Sequence, residues 1–280
     1  MTVENHFTNE EAAHLTAQAV SFSFGENWRK FTRSLNPERI HSAQESLKDS
    51  FGFSVLKSQR FIDLGSGSGL FSLCAKQLGA SPVISVDIDP SSVACALHLK
   101  KALGDPPDWE VLRGSVLDSD FLKKVGPANR VYSWGVLHHT GAMWDAIANA
   151  TQLVAPGGLL CLALYNWPNR VAVHLALKRT YNRLPSIGKV VLRSAYGLGV
   201  LGVVLIVRKR SPLAYVTEYD RKARGMSFWR DVEDWLGGLP CEFAGPEEVT
   251  AFVERRGFKT RRVLIRPPGA NNEYLFERLG

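Results

Sequence analysis

Paired cysteines are missing from this 280-residue chain. Its four, Cys74, Cys95, Cys161 and Cys241, stand singly, with no CxxC pair and no Cys/His spacing suited to zinc. That excludes a disulfide framework and a structural zinc module, and the expectation is reduced thiols, no bound metal and a cytoplasmic location. The opening MTVENHFTNEEAAHL lacks a basic n-region and an apolar stretch, so no secretory signal is read. Long apolar runs are scarce too: the longest, residues 195–207, is 13 residues with its glycines included, short of the roughly 18 that span a bilayer. Internal repeats and low-complexity tracts are absent, and 45% hydrophobic with 22% charged residues excludes disorder, collagen and mucin.

What is present is an excess of positive charge with a definite location. Lysine and arginine total 34 against 27 acids, a net +7 and an isoelectric point near 9.3. Between residues 170 and 230 stand thirteen basic residues and two acids, Glu218 and Asp220, a net +11 that leaves the remainder at −4. By itself such a balance invites nucleic acid, anionic lipid or an acidic substrate without choosing among them.

The chain reads in four parts: 1–57, a helical N-terminal cap; 58–167, an α/β core; 168–225, a basic and apolar helical insertion; 226–280, a last helix and strands. Thr8 and Glu11 form a capping-box pattern before a run of helix formers, and Asn36 with Pro37 starts a second helix reaching about residue 48. From Arg60 short apolar strands (61–64, 82–87, 109–114, 130–135, 158–165) alternate with helical patterns at 69–78, 90–103 and 143–154. That rhythm implies right-handed βαβ crossovers and a mostly parallel sheet covered on both faces. Residues 168–212 interrupt it with two helix-like stretches. A helix after Gly245-Pro246-Glu247 and an antiparallel pair, 258–266 and 273–279, close the sheet edge.

The chemistry concentrates in Phe61-Ile62-Asp63-Leu64-Gly65-Ser66-Gly67-Ser68-Gly69, a strand ending in an acid and followed by glycines at alternate positions that lead into a helix. Glycines there let the backbone approach a ligand, and the helix start offers N–H groups. The spacing GxGxG with Asp63 before it is not the dinucleotide GxGxxG, and Asp63 would repel a pyrophosphate. It suits an ammonium group. Twenty residues after Gly67 the second strand ends in Asp87, placed to accept from both hydroxyls of a ribose. Asp63 and Asp87 together describe a ligand with an amino-acid end and a ribose.

On these residues the chain resembles the class I S-adenosylmethionine (SAM) dependent methyltransferases, in the branch often labelled benzoquinol methylase-like. IDLGSGSG and VDID resemble the family's first two motifs, GSVLD (114–118) the segment that meets adenine, and SWGVLHHTG (133–141) and APGGLLCLALYN (155–166) the fourth-strand motif and the turn into the fifth. The resemblance implies a Rossmann-like seven-stranded sheet, mostly parallel with an antiparallel last strand. It implies SAM as cofactor, held by Asp63, Gly65, Ser66, Gly67 and Gly69, with the ribose on Asp87, adenine beside Ile88, Ser115 and Val116, and Trp134 beneath the methionine arm. Asp118 or backbone N–H groups stand as alternative adenine contacts, because the family often has an acid where Ser115 stands.

Past the strand ends, His138 and His139 are candidate bases and Tyr165 a third candidate catalytic group, with histidine best matched to proton removal near neutrality. Adjacent histidines cannot both point into one site. Asn166, Phe24 and Trp28 are candidate substrate contacts, the last two if the N-terminal segment folds over the cofactor. The expected acceptor is a small molecule, acidic or lipid-like, methylated on oxygen in preference to nitrogen or sulfur, rather than nucleic acid. A SAM-using reaction without methyl transfer and RNA or protein methylation stay open. The apolar stretch at 186–210 reads as a substrate lid, a homodimer interface, a helix lying in a membrane surface, or a buried helix with solvated charged ends.

Overall fold

A computed structural model describes residues 36–52 and 56–280. The capping box at Thr8, the aromatic pair Phe24 and Trp28, and most of the expected N-terminal cap lie outside the described residues. The first described helix, α1 (Pro37–Phe51), begins as its sequence dictates: the Asn36 side chain accepts from the Arg39 N–H at 2.9 Å, proline takes the first turn, and Gly52 ends it in the left-handed conformation. It packs Leu47 and Phe51 onto the sheet, where the Phe51 ring meets Phe61 edge-on at 6.1 Å.

The sheet has seven strands among the described residues. In chain order follow β1 (Phe61–Leu64), α2 (Leu70–Gln77), β2 (Val83–Asp87), α3 (Pro90–Ala102), β3 (Trp109–Arg113), α4 (Ser119–Val125), β4 (Ala128–Trp134), α5 (Met143–Gln152) and β5 (Val154–Tyr165). After the insertion come α11 (Pro246–Glu254), β6 (Phe258–Leu264) and β7 (Asn271–Arg278). The spatial order is β3-β2-β1-β4-β5-β7-β6, with β1 to β5 parallel and β7 antiparallel to both its neighbours. The hairpin read at the C-terminus is real, but its second strand inserts between β5 and β6. α4 was not foreseen, because the Asp118 that starts it sits in the segment read for adenine contact; its side chain accepts from the Asp120 and Phe121 N–H groups instead.

Strand alternation divides the core. Ile62, Leu64, Val131, Leu160 and Leu162 face α5 and α11, while Phe61, Tyr132, Leu159 and Cys161 face α1 and α2. Burial on both faces is why the strands read as nearly continuous apolar runs. All four cysteines are buried and none is in a disulfide.

Between β5 and α11 lies the helical insertion: α6 (Val171–Arg183), α7 (Ser186–Ile206), α8 (Pro212–Thr217), α9 (Tyr219–Lys222) and α10 (Phe228–Gly237). The helix α10 was not read from the sequence and was grouped there with the C-terminal strands; it packs against α6 and α7. Its Phe228, Val232 and Leu236, spaced four apart, form the buried seam, joined by Tyr181 from α6. Tyr196 of α7 stacks on Trp235 at 4.6 Å. The unbroken apolar run measured on the sequence understates α7, which at 21 residues is by length and composition long and apolar enough to cross a membrane.

Candidate active site

The parallel strands end along one edge of the sheet, and a cavity of about 1950 Å³ opens there, bounded by the β1, β2 and β4 turns, α1, the insertion and the β6–β7 loop. Such an edge is where doubly wound sheets bind ligands.

One end is made by the turn after β1. Gly65 (φ +74°) and Gly69 (φ +81°) hold the left-handed conformation, and a Cβ on Gly69 would stand 2.7 Å from the Ala96 Cα. Only glycine satisfies both conditions at that helix start. Gly65 and Ser66 donate their N–H groups to the Val86 carbonyl, tying the turn to β2. Gly67 donates to Asp87 Oδ2 at 2.8 Å and Asp89 to Asp87 Oδ1 at 2.9 Å. These bonds leave part of the carboxylate's acceptor capacity open to the vicinal hydroxyls of a ribose. Ile88, 65% exposed on the cavity wall, offers a flat apolar contact next to them, with Ser115 and Val116 opposite. Ser115 Oγ also accepts from the Leu117 N–H, fixing that loop.

Asp63 is buried at the base of the cavity and accepts from Ser72 Oγ at 2.7 Å, which in turn accepts from Ser85 Oγ. Burial raises its pKa to about 7, and the carboxylate of Asp87, raised by its own burial to about 6, adds repulsion. Two acids held above their ordinary values beside one cavity are a site for a cation, whose arrival favours the ionised form. Ser66 Oγ and Trp134 Nε1 are buried without a hydrogen-bond partner among the described residues. With the open acceptor capacity of Asp87, these orphaned groups fit a polar ligand such as SAM.

The other end is aromatic and comes from distant parts of the chain. His139, Tyr165, His174, Tyr196 and Trp235 line it. His139 Nδ1 lies 2.7 Å from the Pro240 carbonyl, so Nδ1 carries the proton and Nε2 the lone pair. Burial and the nearby Lys178 charge push its pKa down to about 3, and the same two causes do so for His174. Both rings are neutral at pH 7. Lys178 is fully buried, donates to the Trp235 carbonyl, and sits over the Tyr165 and Trp235 rings at 5.4 and 5.3 Å.

Two sequence candidates take other places. His138 is fully buried in the short 3₁₀ turn Leu137–His139, its ring tilted against that of Tyr165 at 4.1 Å, and is not among the cavity-lining residues; the turn that brings His139 to the cavity buries its neighbour. Asn166 is occupied by loop contacts: Nδ2 donates to the Arg266 carbonyl and Oδ1 accepts from the Trp167 N–H, both at 2.9 Å. Arg224 went unremarked except as charge. It holds a left-handed backbone (φ +55°), lines the cavity, and lays its guanidinium over the Trp134 ring at 3.0 Å. The Arg-Gly pair after a run of short helices was the only sequence signal for it. His174, Lys178 and Trp235 had none, since their meeting depends on how α6 and α10 pack.

A family model described as a methyltransferase domain matches residues 29–260. The chain belongs to that family. In fold the chain is similar to magnesium protoporphyrin IX methyltransferase from Synechocystis PCC 6803, solved with bound SAM, at a TM-score of 0.54 and 12% identity over 99% of this chain and 100% of that one. In sequence it is similar to a ribosomal protein L11 methyltransferase of Paraburkholderia phymatum, 49% identical over 102 residues, 30% of this chain and 34% of the relative. It is also similar to a ubiquinone biosynthesis O-methyltransferase of Rhizobium rhizogenes, 26% identical over 137 residues, 47% and 53% of the two chains. The matches span about a third of that L11 methyltransferase and about half of the ubiquinone enzyme. The class I architecture and SAM as cofactor follow from the family and agree with the residues at the glycine end of the cavity.

Proposed function

We propose that the protein transfers the methyl group of SAM to an oxygen of a small-molecule acceptor. The observation that carries this reading is one continuous cavity whose one end has the Asp63, Asp87 and glycine-turn chemistry and whose other end is lined by aromatic rings. Asp87 and the turn hold the ribose, Asp63 faces the ammonium, and Ile88, Ser115 and Val116 flank the adenine. Bound SAM supplies an electrophilic methyl on a sulfonium sulfur.

The chain's own work is then positioning and proton control. His139, with its lone pair on Nε2, accepts a hydrogen bond from the acceptor hydroxyl and orients it. A ring held neutral so far below its ordinary pKa is a weak base, so the acceptor that suits it has an acidic hydroxyl of the phenol or enol type. Tyr165, whose pKa burial raises, stays protonated and serves as wall and donor rather than base. The aromatic faces of Tyr196 and Trp235 match a flat or lipid-like body.

Calorimetry with SAM and, separately, NAD tests the cofactor; heat with SAM alone is expected, and no heat with SAM overturns the reading. Incubation with SAM and a panel of phenols, followed by chromatography, tests the reaction. S-adenosylhomocysteine is expected, whereas methylthioadenosine would mean cyclisation of SAM in its place.

A further inference from the structure

The helix α7 is apolar on both sides, and among the described residues only one side has a partner. Its inner side is fixed to the protein: Tyr196 stacks on Trp235, Gly197 lies against the Trp229 ring so closely that a Cβ there would overlap it, and Arg193 pairs with Glu233 at 3.0 Å. A helix so attached is not surrounded by lipid, so its length does not make it a membrane span. The outer side carries Ile187, Val191, Leu198 and Ile206, 80%, 62%, 64% and 77% exposed, along one stripe of the 21-residue helix. Soluble surfaces rarely leave such a contiguous stripe uncovered.

The charge around the stripe indicates what covers it. From residue 168 to residue 217 there is no aspartate or glutamate, against nine lysines and arginines. Exposed cations stand at both ends of α7, Arg183 before it and Arg208 and Lys209 after it. Two copies paired through this stripe about a twofold axis would bring the basic start of one helix to the basic end of the other, with no acid in the segment to offset the repulsion. An anionic bilayer reverses that sign, taking the apolar stripe into its headgroup boundary and the cations onto its phosphates.

We infer that the outer face of α7, with Arg183, Arg208 and Lys209 at its ends, docks the protein flat on an anionic lipid surface. The inference deepens the acceptor reading above, because Tyr196 and Val200 on the inner side of the same helix line the cavity. Docking would hold the acceptor chamber about one helix diameter, roughly 10 Å, from the lipid.

Vesicle co-sedimentation tests it on the full chain, using phosphatidylcholine vesicles with and without 30% phosphatidylglycerol. The wild type should pellet with the anionic vesicles and remain in solution with the neutral ones. L198E/I206E should weaken anionic binding at least tenfold, and R208S/K209S should weaken it severalfold and flatten its salt dependence, while thermal unfolding and SAM calorimetry show both variants folded. Failure of the wild type to pellet, or equal pelleting of wild type and variants, overturns the inference. So does a wild-type dimer in sedimentation equilibrium that L198E/I206E converts to monomer without any vesicle binding. Vesicle binding with no heat from SAM would instead sink the methyltransferase reading and leave the membrane surface standing.

Discussion

The two ends of the cavity are built differently. The cofactor end is local: Asp63, Gly65, Ser66 and Gly69 lie within seven consecutive residues, and Asp87 joins them through the β1–β2 pairing. The acceptor end draws His139, Tyr165, His174, Tyr196 and Trp235 from a 3₁₀ turn, a strand end and three helices spread over nearly a hundred residues. The cofactor end has acids and backbone N–H groups, and the acceptor end has aromatic rings and neutral histidines around one buried lysine. A ligand common to a family is met by backbone geometry that many sequences can encode. The aromatic end instead depends on how the helices of the insertion pack against the strand ends.

Substitutions should separate the two ends, and the largest effect falls on the glycine turn. Gly65→Val would need a side chain at φ +74° that overlaps Val136; strain and overpacking together cost about 2 to 5 kcal/mol. SAM binding should become undetectable by calorimetry and thermal unfolding should drop by several degrees. Asp87→Ala should weaken SAM by about 1 to 3 kcal/mol, roughly 5- to 150-fold, and an unchanged dissociation constant would remove Asp87 from the ribose site. On the other side, Tyr196→Ala should raise the acceptor KM by about tenfold, the worth of one aromatic contact, with SAM affinity moving less than about twofold. Parallel loss of both affinities would erase the distinction between the ends.

A smaller effect distinguishes Asp63 by pH. Its pKa of about 7 means that it is largely protonated at pH 6 and largely ionised at pH 8, and the ammonium prefers the ionised form. SAM affinity should therefore rise with pH across that window by somewhat under about tenfold, and Asp63→Asn should flatten the rise. The smallest effect belongs to Lys178→Met. Removing that charge should move the His139 and His174 ring pKa values upward, read by proton NMR of the imidazoles, while leaving SAM affinity unchanged.

Legibility followed the same division. The strands and helices of the core were visible because Asn36-Pro37, GSGSG and the apolar strand runs are local signals whose physics acts over a few residues. α4 was hidden behind an Asp118 that could equally have touched a ligand. The amphipathic seam of α10 was written at positions 228, 232 and 236 but lost among charged neighbours. Neither His138's burial nor Asn166's capture by the β6–β7 loop could be read, since each depends on where a residue about a hundred positions away comes to rest.

The sequence by itself determined the family, the parallel sheet, the glycine turn and the two acids that line the cavity beside it, because hydrophobic period, left-handed glycines and strand-end carboxylates are encoded within short windows. Only the tertiary structure decided which histidine reaches the cavity, that Arg224 lies over Trp134, and that α7 has one face in the protein and one left uncovered among the described residues. Those outcomes rest on the packing of side chains far apart in the chain, where a few ångströms of helix placement settle which groups meet.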